Sequence, residues 1–159
     1  MSPRAACRLE SLGFSAVYDY AAGKSDWTGS GLPTEGTHAD LPRPGRLARE
    51  TPTCRPRDTV AFARKRAGDG GVCIVTSDDG IVLGRLRGKA LDGDGEMTVE
   101  DVMETGPTTV RYDEFLPDLV ERMQKSGVES ILVTKPSGHL VGILRRKDAE
   151  ESLADLLKT

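Results

Sequence analysis

The stretch GHLVGILRRKDAEESL, residues 138–153, ends an apolar run in three basic residues and a single carboxylate. Asp148 could hold a ribose, because both oxygens of a carboxylate accept hydrogen bonds from hydroxyls. The same residue could instead cap the helix that AEESLADLLK predicts, which is worth about 1 kcal/mol. Arg145 and Lys147 could neutralise phosphates, Arg with a bidentate fork and Lys as a point charge, or they could form a solvated basic turn. Upstream, GRLRGKA (residues 84–90) keeps Arg87 and Lys89 but has Ala90 where the later stretch has Asp148. An alanine side chain accepts nothing, so of two such stretches only the one closed by Asp148 is fitted to a nucleoside.

Other polar clusters lead elsewhere. LDGDGE (residues 91–96) begins like a calcium loop, but the twelfth position counted from Asp92 is Met103 rather than the required Glu. It reads as an acidic connector. Cys7, Cys54 and Cys73 are odd in number and widely spaced, with only His38 and His139 beside them, so they predict no metal site. They are expected to be reduced thiols.

Composition narrows the class. A chain of 159 residues allows one or two small domains. With 4% aromatic and 30% charged residues, the core must come from Val, Leu, Ile and Ala. A net charge of -3 argues against a general nucleic-acid binder. No apolar run approaches the roughly 18 residues of a membrane span, and MSPRAACRLE lacks the apolar stretch of a signal peptide. The expectation is a soluble cytoplasmic protein.

The elements that must position Asp148 fall into segments. In residues 1–36, Ser2 and Pro3 predict a helix start, with Ala6, Leu9 and Leu12 towards one face and a stop at Gly13. FSAVYDY (residues 14–20) predicts a strand, and AAGKSDWTGSG a short helix holding Trp27. A lone strand leaves its backbone unpaired, so this helix-strand-helix segment is no domain by itself. Residues 37–50, with two prolines, a glycine and alternating charges, predict a linker.

From Thr51 the chain repeats itself. TCRPRDTVAFARKRAGDGGVCIVTSDDGIVLGRLRGKAL from Thr53 aligns with TVRYDEFLPDLVERMQKSGVESILVTKPSGHLVGILRRKDAE from Thr109. Both contain a Gly-Val pair (Gly71-Val72, Gly127-Val128), a strand ending in Val-Thr, and a turn at Gly80 or Gly138. A second strand broken by Gly84 or Gly142 follows, then a basic run. Each unit predicts strand, helix, strand, strand, helix, with SDDG and KPSG as the hairpin turns. The fold class is α/β (α+β), with units at 51–92 and 97–159. The second unit's helix carries Phe115, Leu116, Leu119, Val120 and Met123 near one face, with Pro117 tolerated in the first turn, and its closing helix carries Leu153, Leu156 and Leu157. The first unit's helix has a weaker face of Val60, Ala61 and Ala67 with Phe62.

The duplicated unit resembles the CBS domain, and the pair resembles a tandem CBS (Bateman) module. The resemblance rests on TVEDVM (Thr98 to Met103), the Thr109 repeat, and the Gly-apolar-apolar-x-x-x-Asp spacing from Gly142 to Asp148. It implies two units packed sheet against sheet about a pseudo-two-fold, two equivalent clefts, and a head-to-head or head-to-tail homodimer. The implied activity is regulatory rather than catalytic: binding AMP, ADP, ATP or S-adenosylmethionine and reporting its level to a partner protein. The implied ligand site is Asp148 with Arg145, Lys147 and Ile143, joined by Thr53 and Cys54 from the other unit's opening strand, the adenine lying near Cys54 and Ile143. Thr109 and Val110 would belong to the degenerate cleft. The family favours a small hydroxyl residue where Arg145 stands.

Residues 2–36 resemble the C-terminal end of a rhodanese domain, through the Ser-x-x-Ala-Ala helix, the Val-Tyr strand, Gly23 and Trp27, and the Leu32-Pro33 exit. That family's persulfide Cys precedes the first of these helices, and Cys7 occupies a position without chemistry, so the resemblance implies a partial segment with no catalytic Cys and no enzyme activity. The functional expectation is a CBS-pair module with no required cofactor. The alternatives are a dimerisation module without ligand, or a fragment of a rhodanese-CBS sulfurtransferase whose catalytic Cys lies upstream.

Overall fold

The computed structural model describes residues 3–36 and 41–156; Ser2, His38 and Leu157 lie outside the described residues. Helix α1 spans Pro3–Ser11 and α2 spans Gly23–Gly29. The strand expected over residues 14–20 does not form: the segment is irregular and mostly exposed, with Tyr18 82% exposed. No ladder is available to its backbone groups, so water satisfies them better than an isolated strand would. Helix α2 is tied down instead. Trp27 meets Tyr20 edge to face at 5.3 Å and donates from Nε1 to the Pro33 carbonyl at 2.6 Å.

The segment read as a linker also builds structure. Pro44 opens a short helix, α3 (Pro44–Leu47), where its fixed φ suits the first helical position. Arg49 then forms an antiparallel bridge with Ile143.

The first unit follows. Strand β1 is Thr53–Cys54, and α4 is Val60–Ala67, capped by the Thr59 hydroxyl accepting from the Phe62 N–H. Strands β2 (Val72–Thr76) and β3 (Val82–Arg87) form the hairpin, followed by the four-residue α5 (Lys89–Asp92). Next come α6 (Val99–Val102) and β4 (Glu104–Thr105). The sheet order is β1-β2-β3-β4, parallel for the first pair and antiparallel thereafter. The second unit has β5 (Thr109–Arg111), α7 (Leu116–Lys125), β6 (Ser130–Thr134), β7 (Leu140–Arg145) and α8 (Arg146–Leu156), with sheet order β5-β6-β7. The two hairpins share one register: Val75 faces Gly84 as Val133 faces Gly142, and each carries an irregularity at the following residue.

Each helix covers one face of its sheet. Leu116, Leu119, Val120 and Met123 of α7 are buried against Val133, Leu144 and Ala149. On α4 the buried positions are Val60, Ala63 and Ala67. Ala61 and Phe62 point outward, contrary to the sequence reading, and Arg66 stacks over the Phe62 ring at 5.8 Å. The i, i+3, i+7 spacing selects Ala63, and the small side chains at 63 and 67 leave this half with less apolar volume. Strand alternation turns Ile74 and Leu132 to the opposite faces, where both are buried and border a cleft between the sheets.

The units interlock at two places. Their hairpin turns pair backbone to backbone: Ile81 bridges His139, the Val82 N–H donates to the Gly138 carbonyl at 3.1 Å, and the Leu140 N–H donates to the Gly80 carbonyl at 3.0 Å. Each unit's lead-in also completes the other unit's sheet. Glu104 lies opposite Arg85 on β3, and Arg49 lies opposite Ile143 on β7. Strand β4, within the stretch read as the second unit, therefore belongs to the first sheet. Gly142 explains the break in the apolar run, since a Cβ there would sit 2.3 Å from the Arg49 carbonyl oxygen.

The N-terminal segment docks on the second unit. The buried Tyr112 donates its hydroxyl hydrogen to Asp26 at 3.1 Å, and the Gly45 N–H donates to the Tyr112 carbonyl at 2.9 Å. Burial and the Asp26 contact push the Tyr112 phenol up to about 12. Hydrogen bonds from Tyr20 and Tyr112 hold the Asp26 carboxyl below its ordinary range.

Candidate ligand-binding cleft

A cleft of about 650 Å³ lies between the two sheets. Gly70, Gly71, Val72, Ile74, Arg85 and Arg87 line it from the first unit. Thr108, the run Gly127 to Leu132, and Ile143 line it from the second.

Asp148 is the third residue of α8, inside the first turn and not the cap. A carboxylate there suits the positive end of the helix. Its side chain is 18% exposed, and Oδ1 takes an ion pair from Arg49 Nη2 at 3.0 Å. The other oxygen, Oδ2, is buried and accepts no hydrogen bond among the described residues. An unpaired buried carboxylate oxygen is costly, and a donor brought against it would relieve that cost.

Arg145 and Lys147 are exposed and border a second groove of about 430 Å³, together with Glu129, Ser130, Arg146 and Glu150. Arg146 is engaged, donating to the Val128 carbonyl at 3.4 Å and pairing with Glu150 at 3.5 Å. Lys147 has only a loose contact with Glu151 at 3.8 Å. Ile143 borders the central cleft. Thr53 is half-buried on the cleft-facing side of β1, beside Ile74. Cys54 faces the other way and is buried in the first unit's core. Its hydrogen bond to Cys73, then burial, hold its proton well above the ordinary thiol range. Cys54 can therefore offer a ligand backbone but not its side chain.

The sequence reading missed Arg49. Its composition-based setting is a linker, and its partner lies far along the chain. The signal was Gly142, a strand glycine that makes room for a passing backbone.

The first unit has the same frame with different charges. Glu104 stands where the second unit has Arg49, and it binds Arg85 at 2.6 Å and Arg87 at 3.3 Å. The Arg85 hydrogen bond, supported by Arg87, holds the Glu104 carboxyl below its usual range. Ala90 offers no acceptor at the start of α5.

Residues 99–155 match the family model described as the CBS domain. The cytosolic domain of the Mg2+ channel MgtE in complex with ATP superposes with a TM-score of 0.61 at 24% identity, over 69% of this chain and 48% of that one. The fold is that of a CBS pair. The CBS domains of a transcriptional regulator from Streptococcus pneumoniae match with a TM-score of 0.58 at 21% identity, over 70% of this chain and 99% of theirs. CBSX2, a CBS-pair protein from Arabidopsis thaliana, in complex with AMP, matches with a TM-score of 0.59 at 19% identity, over 73% of this chain and 98% of that one. The chain thus spans about half of the MgtE chain and nearly all of the other two. Comparison with curated proteins gives no match. Among the described residues, no helix is long and apolar enough to cross a membrane, and no cluster of side chains could hold a metal ion.

Proposed function

We propose that the chain is a regulatory CBS-pair module that binds an adenosine nucleotide beside Asp148 and reports its level to a partner, directly or through homodimerisation. The observation that carries this reading is Oδ2 of Asp148, a buried carboxylate oxygen with no donor among the described residues, at the same strand-to-helix junction as the exposed cations Arg145 and Lys147. A ribose hydroxyl would donate to Oδ2, phosphates would meet Arg145 and Lys147, and the adenine would lie between Ile143, Thr53 and the backbone at Cys54. The ATP and AMP named for the MgtE and CBSX2 structures agree with that choice of ligand. The N-terminal segment serves as a tether in this reading, with Cys7 on α1 taking no part in chemistry.

A thermal-shift series with AMP, ADP, ATP and S-adenosylmethionine tests it. A ligand at a hundred times its dissociation constant adds about 2.7 kcal/mol of stability, and Asp148→Ala should remove the shift. No shift with any of the four, or an equal shift in Asp148→Ala, would sink the assignment. A second reading, a dimerisation module without ligand, draws on the Arg49 ion pair, in which the chain's own side chain takes the acceptor. It predicts no shift at all.

A further inference from the structure

Asp148 has two acceptor oxygens and one is already committed. Arg49 reaches Oδ1 at 3.0 Å, yet its side chain is 64% exposed. Its backbone is fixed on both sides: the Arg49 N–H donates to the Ile143 carbonyl at 2.9 Å, and the Ile143 N–H donates back at 2.9 Å. Helix α3 packs against β7 and α8 immediately before it, and Gly142 leaves the room that this approach requires. The backbone that carries the guanidinium is thus fixed within reach of Asp148.

Resting on the nucleotide reading above, we propose that Arg49 sets the ligand's charge: the site selects anionic adenosine phosphates over neutral adenosine and over the cationic sulfonium of S-adenosylmethionine. Two arguments converge. Arg49 neutralises the Asp148 carboxylate, and around the adjoining groove Arg145, Arg146 and Lys147 outnumber the carboxylates Glu129 and Glu150. A guanidinium also carries five N–H donors in a planar fork, so the contact with Oδ1 leaves donors for a phosphate oxygen. With Oδ1 occupied, the ribose is held through one hydroxyl at Oδ2, and discrimination shifts from the sugar to the phosphate.

Isothermal titration of the full chain with AMP, adenosine and S-adenosylmethionine tests this in wild type, Arg49→Gln, Arg49→Lys and Asp148→Ala. A charge-assisted hydrogen bond corresponds to roughly ten-fold or more in affinity, so wild type should prefer AMP to adenosine and to S-adenosylmethionine by at least that factor. Arg49→Gln should weaken AMP roughly ten-fold and leave adenosine within about two-fold. Arg49→Lys keeps the charge without the fork and should fall between them. If Arg49→Gln does not fold, judged by its melt, the lysine variant carries the test through its lowered AMP-to-adenosine ratio. Equal affinity of wild type for AMP and S-adenosylmethionine, or a ratio unchanged in both Arg49 variants, overturns the proposal and leaves the nucleotide reading standing. No binding of any compound, or undiminished binding in Asp148→Ala, overturns both.

Discussion

The two units share a backbone and differ at its ends. In both, a hairpin of identical register meets a lead-in from the other unit at a glycine. In the first unit the lead-in residue is the acidic Glu104, which ties up Arg85 and Arg87, and the chain runs into a four-residue helix with Ala90. In the second the lead-in residue is the basic Arg49, its partner is the acidic Asp148, and α8 runs for 11 residues. The signs are exchanged on an unchanged scaffold. Duplication with reversed charge leaves one unit self-satisfied and gives the other an acceptor oxygen to spare.

The packing difference offers the sharpest way to break the comparison. Leu119 of α7 occupies the position that Ala63 holds on α4, and both are fully buried. Leu119→Ala should cost about 3 kcal/mol, within the usual 2–5 range for such cavities, as read by urea denaturation. A cost below about 1 kcal/mol would mean that the second unit is no better packed than the first.

The lead-in glycines give the next effect. At Gly142 a Cβ meets the Arg49 carbonyl at 2.3 Å, whereas at Gly84 it meets the flexible Met103 sulfur at 2.7 Å and the Glu104 carbonyl at 2.9 Å. Gly142→Ala should destabilise by about 2 kcal/mol and Gly84→Ala by about 1 kcal/mol. Equal costs would show that the two lead-ins are held alike.

The smallest effect concerns the tether, which rests on Tyr112 of the second unit; the first unit has Pro56 at the corresponding place. The Tyr112 phenol moves from 10.0 to about 12 on folding. Its contribution is therefore full below pH 10 and lost as pH rises from about 10 to about 12. Asp26 is shifted down from 3.8, so its contribution holds above that value and fades as pH falls through and below it. Trp27 fluorescence should report undocking in both windows. In Asp26→Asn the Tyr112 phenolate should appear at lower pH by absorbance, and an unchanged titration would remove Asp26 from the tether.

Local pattern made much of this legible. Recurrent glycines located the repeat, and helical spacing found the buried face of α7, because both signals sit within a few residues. Asp148 was readable as a singular residue because Ala90 offered the contrast. What escaped was long-range. FSAVYDY has the alternation of a strand but nothing to pair with, and propensity cannot supply a partner. The Pro- and Gly-rich stretch before Thr51 has a linker's composition, yet its last residues pair with β7. Phe62 has the apolarity of a core residue but not the phase, and it stands 44% exposed.

The exchange of lead-ins has a consequence for how the chain acquires its shape. Neither sheet can be finished from its own stretch of sequence: β4 must return to β3, and Arg49 must wait for Ile143, which is synthesised much later. Such distant pairings raise contact order and slow folding, since loop-closure entropy precedes the contacts that offset it. The first unit should emerge from synthesis with β3 lacking its outer neighbour. Cutting between the units would then yield two incomplete halves rather than two small proteins.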